Sequence, residues 1–147
     1  MKKIKSIALC SSASFYKTVG EVKDELVRSG FRVWMPHTAE LMRKSGDYNV
    51  AHYKIWYKDP KKYARKAYLM RRHFSEIEKA DGILVVNMEK RGLSGYIGGN
   101  VLMEMALAFH LKKKIFILNP VSKKSPVYEE ILGMQPVFLN RDIKKIR

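Results

Sequence analysis

GILVVN, residues 82–87, is the stretch that decides the fold, because four consecutive aliphatic residues in it have no polar residue between them. A strand with one face in water alternates apolar and polar residues, whereas a strand covered on both faces is apolar throughout. The run therefore predicts a central strand of a parallel sheet with helices packed on both of its faces.

Strand-like and helix-like segments alternate on either side of this run. Four more strands are expected, at 4–10, 31–35, 114–119 and 136–140. Helices are expected between the first two strands, over 64–79 and over 100–111. This order predicts an α/β fold: a doubly wound, five-stranded parallel sheet in the flavodoxin-like order 2-1-3-4-5, with helices on both faces.

The chain has the size and composition of one domain. It contains 147 residues, of which 46% are hydrophobic, so a single core is expected over 1–147. The longest apolar run is well short of the ~20 residues that cross a bilayer, and the first residues do not form a signal peptide pattern. We therefore expect a cytoplasmic protein that does not enter a membrane.

Net charge is the strongest compositional signal. Lysine and arginine outnumber the acidic residues by 29 to 14, which gives +15 at pH 7. Such a surface attracts the phosphates of nucleotides, nucleic acids or lipids, although lysine-rich surfaces also serve solubility or heat resistance alone. The single cysteine excludes an intramolecular disulfide, and the four histidines show no close ligand spacing, so neither a metal nor a cofactor is expected.

Polar residues cluster where the predicted strands end, and ligands of doubly wound sheets bind at that edge. The candidates for substrate binding are Cys10, Ser11, Ser12 and Ser14 after the first strand, Asn87 and Asn119 after the third and fourth, and Gly98, Gly99 and Asn100 before the helix at 100–111. Backbone amides at such a helix start attract phosphate. The alternative is structural: serine and asparagine are common in turns and caps, Ser14 suits an N-cap, and the glycines suit a turn.

Two nucleotide-binding motifs are absent from the sequence. Neither GxGxxG nor GxxxxGK[ST] occurs, since the loop after the first strand contains no glycine. A dinucleotide-binding Rossmann enzyme and a P-loop NTPase are therefore both disfavoured.

One carboxylate lies inside an apolar segment. Glu104 is the only acidic residue in GGNVLMEMALAFHL, residues 98–111. An ionised carboxylate is costly to bury unless it is paired or hydrogen-bonded. Glu104 is therefore either half of a structural pair or a functional group.

The arrangement of ADGILVVN (80–87), a glycine-containing loop, EMALA (104–108) and KKKIFILN (112–119) resembles the nucleoside 2-deoxyribosyltransferase superfamily, which includes deoxynucleoside-monophosphate N-glycosidases. The resemblance covers Ile4 to Asn119. It implies that Glu104 is the nucleophile that attacks the anomeric carbon of a nucleoside or nucleotide and expels the base. It also implies that the loop from Cys10 to Ser14 contacts sugar or phosphate.

The chain departs from the pattern of that family at several positions, two of which bear directly on the chemistry. The family usually has a tyrosine in the first strand, where this chain has Ala8, and a catalytic aspartate eight residues before Asp81, where it has His73. Imidazole suits acid-base chemistry near neutral pH, so His73 is expected to protonate the leaving base or to orient Glu104. The alternative for His73 is a helix residue beside the core. Asp81 lies at the opposite end of its strand and is expected to be structural.

A basic, aromatic segment separates the second strand from the helix at 64–79. We expect an insertion at about 46–64, and tyrosines, a tryptophan and basic residues alternate from 46 to 72. This composition fits single-stranded nucleic acid, a lid that stacks on a nucleobase, a subunit interface, or a solvated basic face. Together with the apolar segment 131–139, it predicts a homo-oligomer.

Two functions follow from these observations. The first is an enzyme that cleaves or transfers the N-glycosidic bond of a nucleoside or nucleotide, with Glu104 and His73 as its catalytic residues. The second is a non-catalytic module that binds a nucleotide or single-stranded nucleic acid on the same fold.

Overall fold

A computed structural model describes residues 2–147 and contains the predicted sheet. Its strands are β1 (Ser6–Ser11), β2 (Arg32–Trp34), β3 (Gly82–Val86), β4 (Lys114–Ile117) and β5 (Val137–Phe138). All neighbouring strands are parallel, and the order is β2-β1-β3-β4-β5. The predicted fold class and strand order are confirmed. β5 is shorter than expected because Asn140 and Arg141 adopt positive φ angles of 48° and 66°, which a strand does not accommodate.

Helices cover both faces of the sheet. They are α1 (Tyr16–Arg28), α2 (His37–Ser45), α3 (Tyr63–Lys79), α4 (Gly99–His110) and α5 (Tyr128–Gly133). α3 and α4 match their expected ranges to within one residue, whereas α2 and α5 are additional. Among residues 2–147, none of these helices has both the length and the apolar character needed to cross a membrane.

The two faces of β3 belong to two separate cores. Leu84 and Val86 pack in the core that α1 covers, and Ile83 and Val85 pack in the core that α3, α4 and α5 cover. Successive side chains of a strand point to opposite faces, so both sets must be apolar. This is the physical reason for the uninterrupted apolar run that predicts the sheet.

The chain leaves β1 through a short 3-10 turn, Ala13–Phe15, before α1 begins. Ser14 lies inside this turn and is exposed. The N-cap position of the turn is Ser12, and neither the turn nor α1 has a side-chain cap. The assignment of Ser14 as an N-cap is therefore wrong, because the extra turn moves the start of the helix past it.

The segment between α2 and α3 consists of three 3-10 turns: Val50–His52, Ile55–Tyr57 and Pro60–Lys62. The side chains of Asn49 and Asp59 cap the first and the third turn by accepting from backbone N–H groups. Trp56 of the middle turn is 5% exposed. The segment is thus anchored by a buried aromatic side chain instead of lying free in solvent.

Asp81 joins the amino ends of β1 and β3, at the edge opposite to the polar strand ends. Its Oδ2 accepts from the backbone N–H of Lys5 at 2.9 Å and of Ser6 at 3.1 Å, and from the Ser6 hydroxyl at 3.0 Å. Lys2 Nζ lies 3.0 Å from Oδ1. The bond from the Lys5 backbone, followed by Lys2, lowers the pKa of Asp81 to about 2. This network supports the structural role expected for Asp81.

We expect Asp81→Asn to lower the free energy of unfolding by about 1 to 2 kcal/mol at neutral pH, since a lowered carboxyl pKa is a stability contribution. The pKa is about 2 in the folded protein against an ordinary 3.8. The contribution is therefore present above the ordinary pKa and is lost as the pH falls toward the folded value. Urea unfolding of both proteins at neutral pH and near pH 2 measures it.

Asp24→Asn is the matched control, because Asp24 forms an exposed ion pair with Arg43. Exposed pairs contribute little, so this variant should unfold nearly as the natural chain does. Equal losses in the two variants, or an Asp81→Asn loss that persists undiminished near pH 2, would contradict the assignment.

Candidate active site

Glu104 occupies the middle of α4 and is 5% exposed. Its Oε1 accepts a hydrogen bond from Asn100 Nδ2 at 2.8 Å, one helical turn earlier. Its Oε2 is buried and accepts no hydrogen bond from an N–H or O–H group of the described residues, although the Cys10 thiol is close enough to Glu104 to form a weak hydrogen bond with the carboxylate. The nearest basic atom is His73 Nε2, at 3.7 Å. One oxygen of the carboxylate is therefore firmly held, whereas the other has only weak contacts.

His73 reaches Glu104 from α3, and Cys10 reaches both from the carboxyl end of β1. His73 Nδ1 lies 2.9 Å from Glu76 Oε2, one turn along α3. His73 Nε2 lies 3.6 Å from Cys10 Sγ. Three elements thus bring a thiol, an imidazole and a carboxylate together at the sheet edge where ligands of doubly wound folds bind.

Burial and mutual charge set the protonation of this cluster. Burial raises the pKa of Glu104, and His73 offsets only part of that rise. Burial alone would lower the pKa of His73, but the carboxylates of Glu104 and Glu76 outweigh it and raise that pKa. Burial, followed by Glu104, raises the pKa of the Cys10 thiol. The cluster therefore retains protons more readily than the same groups do in water.

A cleft opens beside Glu104 and His73. Its enclosed volume is about 70 Å³, smaller than the pockets that bury a drug-sized ligand, so a nucleoside bound at Glu104 would extend into the open mouth of the cleft. One wall comes from the segment between α2 and α3 and includes Tyr53 and Trp56. The cleft therefore pairs a buried carboxylate with an aromatic wall.

Lys66 links that wall to the carboxylate. Its Nζ lies 5.6 Å from the centre of the Trp56 ring and donates to Asn100 Oδ1 at 2.9 Å. Asn100 in turn donates to Glu104 Oε1. Burial lowers the pKa of Lys66. Through this chain of contacts, Asn100 is held with its amide directed at Glu104 Oε1.

A second, basic cleft adjoins the first and brings together several predicted binding residues. Its lining includes Ser11, Ser12, Gly98, Gly99, Asn100, Lys54, Lys66, Lys90 and Arg91. Lys90 Nζ donates to Ser12 Oγ at 3.2 Å and lies 5.1 Å from the Tyr96 ring centre. Ser11 donates instead to the backbone oxygen of Val86 at 2.8 Å. Basic side chains and the amino end of α4 together form a surface suited to phosphate.

Asn87 and Asn119 bind each other instead of lining either cleft. Asn87 Nδ2 donates to Asn119 O at 2.9 Å, and Asn119 Nδ2 donates to Asn87 O at 2.8 Å. Asn87 Nδ2 also lies 3.2 Å from the carbonyl of Gly95, where an added Cβ would meet Pro120 O at 1.9 Å. These asparagines tie the loops after β3 and β4 together. Ser14, which is exposed, lines neither cleft.

Tyr16 is a site residue that the sequence does not reveal. It begins α1 and lines both clefts. Burial, followed by the charge of Glu104, raises the pKa of its phenol, which keeps it protonated. Ala8, at the position where the family that the sequence resembles has its tyrosine, is fully buried in the core. The cleft therefore contains a tyrosine hydroxyl, but α1, the helix that follows β1, supplies it in place of the strand itself.

The fold and the site define a doubly wound α/β protein with a buried Cys10, His73 and Glu104 cluster at its ligand edge. Comparison with protein-family models and with curated protein sequences gives no match for this chain. Its resemblance to the nucleoside 2-deoxyribosyltransferase superfamily therefore stays a prediction that depends on its own residues.

We expect Glu104→Gln to fold with an unchanged or higher melting temperature. Glutamine keeps the shape and can still accept from Asn100, while the desolvation of a carboxylate no longer opposes folding. Thermal unfolding monitored by circular dichroism measures the change. Glu21→Gln is the control, since Glu21 is an exposed glutamate on α1. A loss of about 3 to 5 kcal/mol in Glu104→Gln alone would instead identify a buried structural ion pair with His73.

Proposed function

We propose that this protein cleaves or transfers the N-glycosidic bond of a nucleoside or nucleotide, with Glu104 as the nucleophile. The observation that carries the proposal is the weakly contacted Oε2 of a buried carboxylate beside an aromatic-walled cleft. Glycosyl transfer through a covalent intermediate requires such a carboxylate, held against the sugar and shielded from water.

In the proposed reaction, Glu104 Oε2 forms a bond to the anomeric carbon while the bond from that carbon to the base nitrogen breaks. The electron pair of the broken bond leaves with the base. A water molecule then gives its proton to the base, and its oxygen attacks the anomeric carbon from the side that the base has left. This second step restores the Glu104 carboxylate, and an acceptor base in place of water gives transfer.

The geometry favours an orienting role for His73 over protonation of the base. Displacement places the nucleophile and the leaving base on opposite faces of the sugar, and His73 Nε2 lies on the Glu104 side, 3.7 Å from Oε2. His73, itself held by Glu76 at 2.9 Å, thus fixes the direction of the carboxylate. In this reaction it is a positioning residue.

The two clefts suit the remaining parts of a nucleotide. Tyr53 and Trp56 give the wall beside Glu104 apolar surface against which a base packs. Lys90, Ser12 and the start of α4 give the adjoining cleft donors for a phosphate. A nucleoside monophosphate therefore fits this site better than a nucleoside.

We expect base release from nucleosides or their 5′-monophosphates by the natural chain, and a fall of at least about a thousandfold in Glu104→Gln, because the covalent step is lost. The assay incubates a panel of ribo- and deoxyribonucleosides and their monophosphates and separates free base by chromatography. Glu21→Gln should retain the natural rate. A folded Glu104→Gln variant that still releases base at that rate would refute the catalytic assignment.

A second candidate function is supported by exposed aromatic residues near the cleft. Tyr57, Tyr63 and Tyr68 are 71%, 50% and 47% exposed, and Lys54 and Arg65 lie against the rings of Tyr57 and Tyr68. Such surfaces bind single-stranded nucleic acid. Polymer binding that weakens steeply with salt, without base release from any substrate, would favour this function over catalysis.

We also propose that the protein forms a homo-oligomer through the outer face of α4. Met103 and Phe109 on that face are 44% and 54% exposed, and Ala106 between them is exposed as well. These three residues lie within about 120° of one another around the helix, on its solvent-facing side. A second copy of the chain would cover the same face by two-fold symmetry.

We expect light scattering at micromolar concentration to give at least the mass of a dimer, and Phe109→Lys to shift the protein to a monomer. The reason is that a charge in an apolar two-fold interface is repeated on both partners. Val27→Lys, at a residue 51% exposed on α1, is the control and should not change the mass. A monomer mass for the natural chain would exclude the proposal.

A further inference from the structure

We propose that Cys10, His73 and Glu104 form a binding site for a divalent transition metal, with Zn²⁺ as the best match. The donor atoms are Cys10 Sγ, His73 Nε2 and Glu104 Oε2, and the potential ligand atoms of the three residues lie within 4.8 Å of one another. All three residues are buried. Two of them, His73 and Glu104, line the cleft and leave a fourth coordination position toward it.

The spacing of the donor atoms fits tetrahedral coordination. Zinc bonds of about 2.0 to 2.3 Å place neighbouring ligand atoms roughly 3.3 to 3.8 Å apart. The distance from Cys10 Sγ to His73 Nε2 is 3.6 Å, and from His73 Nε2 to Glu104 Oε2 it is 3.7 Å. Two edges of the tetrahedron are therefore in place. The third edge, from Cys10 Sγ to the Glu104 carboxylate, is no longer than 4.8 Å.

The donor set selects the metal. A thiolate and an imidazole favour Zn²⁺ and similar transition metals over Mg²⁺ and Ca²⁺, which require oxygen ligands. Three protein ligands with an open fourth position are the pattern of catalytic zinc sites.

Residues that hydrogen-bond to His73 and Glu104 orient the donor atoms of these two ligands toward one position. Glu76 binds His73 Nδ1 at 2.9 Å, which leaves Nε2 for the metal, as carboxylates do behind histidine ligands of zinc. Asn100 binds Glu104 Oε1 at 2.8 Å, which leaves Oε2. The buried Oε2, which accepts no N–H or O–H hydrogen bond, is an independent observation for a ligand, because a buried carboxylate oxygen without such a bond is costly.

The metal and the sugar compete for the same atom. If the proposed glycosyl transfer is correct, metal bound at Oε2 occupies the nucleophile, so the metal-loaded protein does not release base. The site would then act as an inhibitory switch that responds to free zinc.

The test is titration of the chelator-treated full chain with Co²⁺, a spectroscopic probe for zinc sites. We expect one equivalent to bind, with a thiolate-to-cobalt charge-transfer band and the intense visible bands of four-coordinate cobalt, and Zn²⁺ to displace it. Cys10 is the only cysteine in the chain, so the charge-transfer band reports on this site alone. Cys10→Ser should lose that band, and His73→Gln should weaken binding at least tenfold.

His110→Gln is the matched control, because His110 is an exposed histidine at the end of α4, and it should bind as the natural chain does. Since Cys10→Ser removes a core residue, a second measurement uses Glu104→Gln: Zn²⁺ should raise the melting temperature of the natural chain and not that of this variant. Absence of the charge-transfer band in the natural chain, or an equal rise in both melting temperatures, would overturn the metal site.

The two proposals fail separately. Cobalt binding without base release from the metal-free protein would refute glycosyl transfer and leave the metal site. Base release together with no cobalt band would refute the metal site and leave glycosyl transfer.

Discussion

Burial of β1 and β3 on both faces is the constraint on which the rest of the structure depends. Every side chain along these strands must be apolar or hydrogen-bonded, so the polar chemistry of the sheet moves to the strand ends. Cys10 and Ser11 end β1 at the same level as Val85 and Val86 of β3. At this level α3 and α4, which pack on one face of the sheet, bring together the only buried histidine and the only buried glutamate of the described chain.

The sequence predicts those features that depend on local pattern. Apolar runs mark the strands, and Glu104 stands out because the residues around it are apolar. The sequence does not predict the contact among Cys10, His73 and Glu104, since these residues lie far apart along the chain and on three different elements. Because the three residues come together only in the folded protein, the spacing of the histidines along the chain does not reveal this cluster. Local spacing detects ligands on one helix or loop, whereas this cluster exists only after the sheet has formed.

Asn87, Asn119 and Tyr16 show that residue type alone does not distinguish a structural role from a functional one. Asn87 and Asn119 end their strands as ligand-binding asparagines do, yet the amide of each is used by the backbone of the other. Tyr16 has no distinguishing neighbour in sequence, and it reaches the cleft because a 3-10 turn sets the start of α1. Asparagine and tyrosine each serve structure or function equally well. Only the partners that tertiary packing supplies distinguish the two.

The state of Glu104 follows from what surrounds its two oxygens. Asn100, itself held by Lys66, satisfies Oε1 with a neutral donor that does not compensate the full charge of the carboxylate. Oε2 must therefore obtain its compensation from a proton, a cation or an electrophilic carbon. His73 Nε2, at 3.7 Å, is within ion-pair distance but beyond hydrogen-bond range, and the Cys10 thiol is only a weak donor. The carboxylate thus combines a firmly held Oε1 with an Oε2 whose contacts to the imidazole and the thiol are weak, and this is the arrangement that both the proposed nucleophile and the proposed metal ligand require.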